Sequence, residues 1–476
     1  MKNKLLRRLP PVLLLCIVLF LIIGAIAPFV ISKKISTETK EAIKLGKIGG
    51  ETSYKERVML LESNSDALKE RMRLLNRAKS EIILSTFDMR EGKSTKDLFS
   101  VILNKADAGV KVRILVDGLA GTIRMQGRPF FYALSSHPNI EIKLYNPINL
   151  AAPWKSQGRM HDKYIIVDQE AYILGGRNTF DYFLGDYGKK SQSFDREVLI
   201  YNGKTIEEQT SLTALRNYFN GVWQKKDCKL FHNDADLAQN KEVTEVIKEL
   251  NTHYKECKKR EPEIFAAYSY PDHTQEAEAV RLLSNPTGIY AKEPIVFYQL
   301  VELMKSAKES VVIHTPYMVC NSTMYDGLEA VANKVPNTKI VVNSIENGDN
   351  FCASSDYIWN RKGIIDTGAQ LLEYDGGTSL HGKSILIDED TSVIGSYNFD
   401  MRSTYVDTEL MLVIKSRELN AQLGEKMDEL EKDSKRVMEN GDIQVPEHLH
   451  IKKLPLYKEW AMRVFGLILQ GFRYLV

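Results

Sequence analysis

The polar and apolar positions of this chain set one long uncharged run ahead of two stretches in which helix-like and strand-like patterns alternate. From Leu9 to Ser32, "LPPVLLLCIVLFLIIGAIAPFVIS" carries no charge. As a helix it would be about 35 Å long, more than the ~30 Å core of a bilayer. Further on, Leu68, Met72 and Leu75 recur at i, i+4 and i+7 and predict a helix from about Asp66. "SEIILSTFD" (80–88) reads as a short buried strand, and "DLFSVILNKADAG" (97–109) as a helix closed by Gly109. "VKVRILVDG" (110–118) alternates like a strand, and "FYALSSHPNIEIKLYNP" (131–147) reads as helix end, turn and strand. Such alternation predicts an α/β fold with a covered sheet.

The second half repeats the plan. In "PIVFYQLVELMKSAKESVVIHTPYM" (294–318), Pro294 starts a helix and a strand follows. "RAKSEIILST" (77–86) matches "SAKESVVIHT" (306–315), "GVKVRILVD" matches "NTKIVVNS" (337–344), and "IEIKLYNP" matches "AQLLEYDGG" (369–377). Roughly 220 positions separate the copies, too many for a solenoid repeat, so a duplicated domain is expected. The predicted division is a basic N-terminus and transmembrane anchor (1–32), a polar stalk (33–60), a first lobe (61–225), a linker with a helix over Glu242–Leu250 (226–260), a second lobe (261–425) and a C-terminal amphipathic helical segment (426–476).

Chemistry recurs with the repeat. "MHDKYIIVD" before "AYILGGRN" supplies His161, Lys163, Asp168, Gly175 and Asn178. "LHGKSILIDEDTSVIGSYNFD" supplies His381, Lys383, Asp388, Gly395 and Asn398 at the same internal spacings. Side chains at i and i+2 of a strand share a face, so each His projects with its Lys while Asp162 or Gly382 points away. A return strand ("AYIL", "TSVI") brings the glycine turn and the Asn back beside them. An imidazole, an ammonium and an amide from each lobe suit a phosphodiester. Lys163, Lys383, Asn178 and Asn398 would hold non-bridging phosphate oxygens and oppose the charge of a pentavalent transition state. One neutral His would attack phosphorus, and the other, protonated, would give its proton to the leaving alkoxide. Each His needs an acceptor on its second nitrogen. Glu197 in "SFDREVLIY" and Glu409 in "YVDTELMLVI" enter the next strand of each copy and are the candidates. Asp168 and Asp388 lie a strand length from the histidines, where an aspartate holds a turn.

Composition narrows the partners. Apolar residues make up 43% of 476 and charged residues 26%, ordinary for folded domains, and a net charge of +2 argues against a nucleic-acid coat. The five cysteines form no CxxC and no Cys/His group with zinc-ligand spacing; they read as isolated thiols, with a Cys320–Cys352 bridge open to a domain outside the cytoplasm. No metal and no cofactor is called for. The A-x-A pattern at Ala25 and Ala27 would suit a signal peptide, but the apolar run is longer than a signal core and Pro28 would follow the cut, so an uncleaved anchor is expected. Lys2, Lys4, Arg7 and Arg8 favour an inside N-terminus, while Lys33, Lys34, Lys40, Lys44 and Lys47 blunt that bias, so the side of the catalytic domain stays open. The closing "LPLYKEWAMRVFGLILQGFRYLV" is basic and carries Trp460, Phe465, Phe472 and Tyr474, which suits a helix lying in a membrane interface or one packed on the protein.

HxKxxxxD followed by GGRN or GSxN, twice, resembles the phospholipase D superfamily over about residues 60–425. "SSHPNIEIKLYNP", "RMHDKYIIVDQEAYILGGRN", "LHGKSILID" and "IGSYNFDMRSTYVDTE" are similar to the bacterial cardiolipin synthases of the C type. The resemblance implies two α/β lobes with mixed sheets, a pseudo-twofold axis, one shared active site and a phosphohistidine intermediate. It places His161, Lys163, Asp168, His381, Lys383 and Asp388 in the catalytic set, with His161 as nucleophile and His381 as general acid. It gives Ser396, where the first motif has Gly176, as a further phosphate donor. It also implies a membrane-bound enzyme with phospholipid substrates: phosphatidylglycerol, and phosphatidylethanolamine as a second candidate, without nucleic acid. Transfer to a second phospholipid and hydrolysis to phosphatidic acid would use the same residues; a nuclease or a non-catalytic membrane scaffold fits the intact motifs and the anchor less well. Because the chemistry assigned here needs only imidazoles, ammoniums and amides, turnover should survive EDTA; loss of activity restored by one divalent ion is the contrary outcome.

Overall fold

In a computed structural model, residues 2–44, 54–187, 192–203 and 210–476 are described, residues 2–11 as helical backbone alone. The side chains of Lys2, Lys4, Arg7 and Arg8, with Lys47 and stalk residues 45–53, lie outside that description. The N-terminal helix runs Lys2–Ile26, and Val12–Phe29 is long and apolar enough to cross a membrane. Most of its described side chains face away from the protein. Its far end is held: Phe20 meets Trp154 edge-on at 6.4 Å, Gly24 packs on Pro153, and Phe29 is buried in the core of the second lobe.

The first lobe contributes β1 (Tyr54–Leu61), β2 (Glu81–Thr86), β3 (Lys111–Asp117), β4 (Ile140–Tyr145), β5 (Tyr164–Val167), β6 (Ala171–Gly175), β7 (Ser193–Phe194), β8 (Glu197–Tyr201) and β9 (Cys228–Leu230). The second contributes β10 (Gln275–Ser284), β11 (Val311–His314), β12 (Met318–Val319), β13 (Thr338–Asn343), β14 (Gln370–Tyr374), β15 (Ser379–Leu380), β16 (Lys383–Ile387), β17 (Thr391–Gly395), β18 (Phe399–Asp400), β19 (Leu410–Lys415), β20 (Ser434–Val437) and β21 (Ile443–Gln444). Among the described residues, seventeen of these strands form one sheet. Its order is β9-β4-β3-β2-β5-β6-β8-β1, then β10-β19-β17-β16-β11-β13-β14-β20-β21. The halves mirror each other about the antiparallel β1–β10 pair, which is the pseudo-twofold written into the hydrogen-bond ladder. In each half three strands run parallel (β2, β3, β4; β11, β13, β14).

Local sequence explains the elements. The Ser63 hydroxyl accepts the Asp66 N–H and starts the helix Asn64–Arg77. Gly109, at φ 95°, follows the helix Lys93–Asp107. β5 and β6 are buried along their whole length, as strands covered on both faces must be. Leu75, Phe99 and Phe131 fill the outer core of the first lobe, and Leu300, Leu328 and Ile340 that of the second. A third cluster joins the halves: Phe219 from the helix Ser211–Trp223 and Leu423 from the helix Arg417–Lys432 pack with Val58, Tyr172, Val280 and Leu412. At about 1.5–3 kcal/mol for each fully buried large apolar side chain, this cluster makes the lobes one body.

Three expected boundaries are corrected. Residues 426–476 are not one helical segment: the helix Arg417–Lys432 crosses the boundary and puts Met427 into the central cluster, and β20 pairs with β14 in the sheet. Residues 54–60 are not stalk, because β1 lies between β8 and β10 at the centre of the sheet. Residues 226–260 are not a free linker. β9 pairs with β4, and the helix, longer than expected at Lys241–Arg260, puts Val243, Leu250 and Cys257 into the first lobe's core. The five cysteines are free thiols, so no Cys320–Cys352 bridge is present.

Asp168 and Asp388 bracket strands. Both adopt φ 51° in the tight turn after β5 and β16. Asp168 accepts the N–H groups of Lys79, Ser80 and Glu81 at 2.7–2.8 Å, and Asp388 those of Lys308, Glu309 and Ser310 at 2.8–3.2 Å. Burial opposes ionisation, yet the hydrogen bonds win and hold both carboxyls below their ordinary range. Each therefore ties the start of β2 or β11 to the end of its neighbour. Asp168→Ala and Asp388→Ala should each lower unfolding free energy by about 1–3 kcal/mol, since three backbone donors lose their acceptor; urea titration measures it.

Candidate active site

Each histidine stands where its lobe meets the other. β15 runs parallel to β7, and Met160 pairs in the same sense with Thr408. The His381 N–H thus donates to the Phe194 carbonyl (2.6 Å), and the His161 N–H to the Thr408 carbonyl (3.3 Å). The imidazoles are held across the same boundary. His161 Nδ1 hydrogen-bonds Glu409 Oε1 (2.8 Å), and His381 Nδ1 hydrogen-bonds Asp195 Oδ2 (2.5 Å). With both Nδ1 atoms engaged by acids, Nε2 is the nitrogen left for a phosphorus centre.

Asp195, not Glu197, is the acid that holds His381. Across β6–β8 Gly175 faces Glu197, whereas across β17–β19 Gly395 faces Met411. The counterpart of Glu409 is therefore Asp195, and Glu197 falls two residues further along, at the place of Met411. Glu197 is buried and bound by both guanidinium nitrogens of Arg71, with Arg177 at 3.6 Å. The shared D-x-E spelling of "DREV" and "DTEL" hides this slip. The motif glycines are steric: a Cβ at Gly175 would meet the Arg196 carbonyl, and one at Gly395 the Leu410 carbonyl.

Ser396 is also corrected. Its hydroxyl donates to Glu409 Oε2 (2.5 Å) and accepts the Leu410 N–H (3.0 Å), so it supports an acid and is spent before any phosphate arrives. Ser403 donates to Glu409 Oε1 (2.6 Å). At Gly176 a Cβ would strike the Asp195 carboxylate. Glycine makes room for the short acid on one side, and serine props the long acid on the other.

Lys163 and Lys383 are buried at the centre. Lys163 Nζ donates to the His161 carbonyl (2.5 Å); Lys383 Nζ donates to the His381 carbonyl and lies 2.7 Å from His381 Nδ1. Burial pushes Lys163 down to about 7 although Glu409 opposes it, and Lys383 to about 8 although Asp195 opposes it. An anion between them would restore their charge, so phosphate binding and lysine protonation are coupled. Asn178 accepts the Asp88 N–H through Oδ1 (3.2 Å). Asn398 donates to the Tyr317 hydroxyl (3.2 Å), and its buried Oδ1 has no partner. Phe87 stands edge-on to His161 and Phe183 to His381, at 5.2 and 4.8 Å.

The two half-sites differ electrostatically. Burial, with Lys163 and Lys383, drives His161 well below its ordinary value, and burial lifts Glu409 to about 8. That pair favours a neutral imidazole. Burial and Lys383 also lower His381, but Asp195 resists this, and Asp195 itself is held far below the usual carboxylate range because His381 and Lys383 outweigh its burial. Of the two pairs, that one opposes an imidazolium less. A cavity of about 550 Å³ reaches His161, lined by Phe87, Tyr317, Asn350, Asn398 and Arg402 and by the chain end, Leu475 and Val476.

Elsewhere among the described residues, Asp97, His253 and Cys257 place three ligand atoms within 4.8 Å of one another, a group the sequence hid because Asp97 is distant along the chain. Arg260 lies 3.3 Å from the same Asp97 oxygen, and that guanidinium opposes a cation there.

A family model described as "Cardiolipin synthase, PLD-like domain" matches residues 72–223 and 300–431. Cardiolipin synthase C of Escherichia coli K12 is 27% identical over 407 residues, 77% of this chain and 82% of that protein. An uncharacterised protein of Helicobacter pylori strain 26695 is 27% identical over 384 residues, 74% of each. The solved structure of phosphatidylserine synthase from Haemophilus influenzae Rd KW20 superposes with a TM-score of 0.63 at 14% identity, covering 92% of this chain and 100% of that one; the likeness is one of fold.

The register assigns distinct outcomes to neighbouring acids. Asp195→Asn removes the anion that stabilises imidazolium at His381. It should cut kcat by about 10²–10⁴-fold and move the alkaline limb of the rate profile to lower pH. Glu197→Gln should instead lower stability and leave that limb in place. Rate–pH profiles beside thermal melts decide between them.

Proposed function

This chain belongs to the family of cardiolipin synthase, PLD-like domains, and from that premise we propose that it is a membrane-bound phosphatidyltransferase that makes cardiolipin from phosphatidylglycerol. Its enzyme class follows from the family; substrate, direction and site roles are the reading proposed here. The observation that carries it is the shared site: two intact His–Lys pairs, each imidazole held by an acid of the other lobe. The Val12–Phe29 segment is read as a single bilayer span, which keeps this site beside its lipid substrates.

The steps balance. His161 Nε2 attacks phosphorus of phosphatidylglycerol, the bond from phosphorus to the glycerol headgroup oxygen breaks, and His381 gives its proton to that oxygen as glycerol leaves. The phosphatidyl group is then bonded to His161. The free headgroup hydroxyl of a second phosphatidylglycerol loses its proton to His381 and attacks phosphorus; the P–N bond breaks and cardiolipin leaves. Lys163, Lys383, Asn178 and Asn398 hold the non-bridging oxygens through both steps. The contrast between the Glu409 and Asp195 pairs supports His161 as nucleophile and His381 as acid. Water in place of the second lipid would give phosphatidic acid, the phospholipase D reading. Phosphatidylethanolamine, whose headgroup ends in an amine and carries no hydroxyl, would serve as donor in the first step, with ethanolamine leaving in place of glycerol and phosphatidylglycerol supplying the attacking hydroxyl.

Headgroup-labelled and acyl-labelled phosphatidylglycerol in mixed micelles should yield cardiolipin and free glycerol; phosphatidic acid without cardiolipin would sink the synthase reading. His161→Ala and His381→Ala should each abolish turnover, and rapid denaturing quench should trap labelled phosphatidyl-protein in the native chain but not in His161→Ala.

A further inference from the structure

The C-terminal helix, Leu456–Leu469, has two opposite apolar faces. Met462, Gly466 and Leu469 are buried against the helix Phe351–Ile365. Gly466 packs on the Ser355 carbonyl, the Trp359 indole N–H donates to the Arg463 carbonyl (2.9 Å), and Arg473 Nε bonds Asp356 (2.7 Å). About half a turn away, Leu456, Tyr457, Trp460, Leu467 and Ile468 are between 58 and 84% exposed. A helix apolar on both sides and docked on one has a second partner to find.

The surroundings say which. The helix rises about 21 Å, too short to cross a ~30 Å core, so it fits along an interface. Lys452, Lys453 and Lys458 are exposed around its start, a charge pattern that suits anionic headgroups. The N-terminal helix reaches the same place: Phe20 and Gly24 contact Trp154 and Pro153, and the next residues, Ser156 and Gln157, line the His161 cavity. The chain end lines it too, and Arg402 joins both walls by donating to the Gln157 carbonyl (2.6 Å) and the Leu475 carbonyl (3.4 Å).

We propose that the outer face of the C-terminal helix rests in the headgroup layer of the bilayer that the N-terminal helix crosses, so that the His161 cavity opens at the lipid surface and takes its phospholipids sideways from it. The proposal rests on the reading of Val12–Phe29 as a span. The full chain is reconstituted into vesicles containing phosphatidylglycerol, with or without bromine on the acyl chains near the headgroups. The emission specific to Trp460, taken as the difference from Trp460→Phe, should lose most of its intensity with brominated lipid, and Leu467→Trp in the Trp460→Phe background should behave alike. Leu19→Trp in that background reports the span independently. Quenching at Leu19→Trp without quenching at Trp460 or Leu467→Trp overturns the proposal and leaves the span standing. Quenching at none of them overturns both. Trp460 shielded from aqueous acrylamide but unquenched by bromine also overturns it, since protein, such as a second copy of this chain, then covers the face.

Discussion

The constraint on which this molecule depends is that neither lobe can orient its own histidine. The acid for His161 sits just before the strand after the second motif, and the acid for His381 just before the strand after the first. The backbone repeats the exchange, with each histidine N–H bonded to a carbonyl one residue ahead of that acid. A buried charged hydrogen bond is worth making only if its geometry is held. The lobes therefore have to be locked together, and the β1–β10 pair with the central cluster of Phe219, Leu423 and their neighbours does the locking. A continuous sheet is the structural answer to a shared active site.

The two halves of the shared site are not equivalent. On the proposed reading, two imidazoles serving one phosphorus need opposite protonation at the same pH, one to attack and one to give a proton. Identical half-sites would divide one proton only through their mutual repulsion and would leave open which imidazole holds it. Here the duplicated scaffold is kept while two substitutions break its equivalence. Gly176 admits the short, firmly ionised Asp195, and Ser396 with Ser403 supports the longer, hard-to-ionise Glu409. Arg71 and Arg177 draw Glu197, the remaining carboxylate, into a buried ion pair away from the histidines.

Much of this was legible in the chain. Periodicity and repeats predict the α/β halves, because short buried strands and capped helices leave strong local marks. Identical spacing of His161, Lys163, His381 and Lys383 marks the chemistry, because strand geometry forces i and i+2 to one face. Sequence is weaker where the answer is a register between strands. Glu197 and Glu409 both open an apolar strand after an aspartate and look equivalent; only the pairing of Gly175 with Glu197 and Gly395 with Met411 exposes the two-residue offset. Ser396 misleads in the same way, since its hydroxyl type is right for phosphate but its partner is the carboxylate just ahead of the neighbouring strand. The ends of the lobes are not legible, because amphipathic, Lys- and Glu-rich helices such as Lys241–Arg260 read like linkers until the face that carries Val243, Leu250 and Cys257 is seen against a core.

Two ammoniums buried within one site repel each other and lose hydration, and Lys163 falls to about 7 and Lys383 to about 8. In the free protein each is turned to its own histidine's carbonyl, a neutral acceptor that offsets little of that cost. A phosphodiester supplies the missing negative charge and is drawn in with it. On the proposed reading, the same site gives little purchase to the neutral glycerol that leaves and more to a second anionic lipid, and the choice between water and lipid hydroxyl is a matter of what fills the His161 cavity.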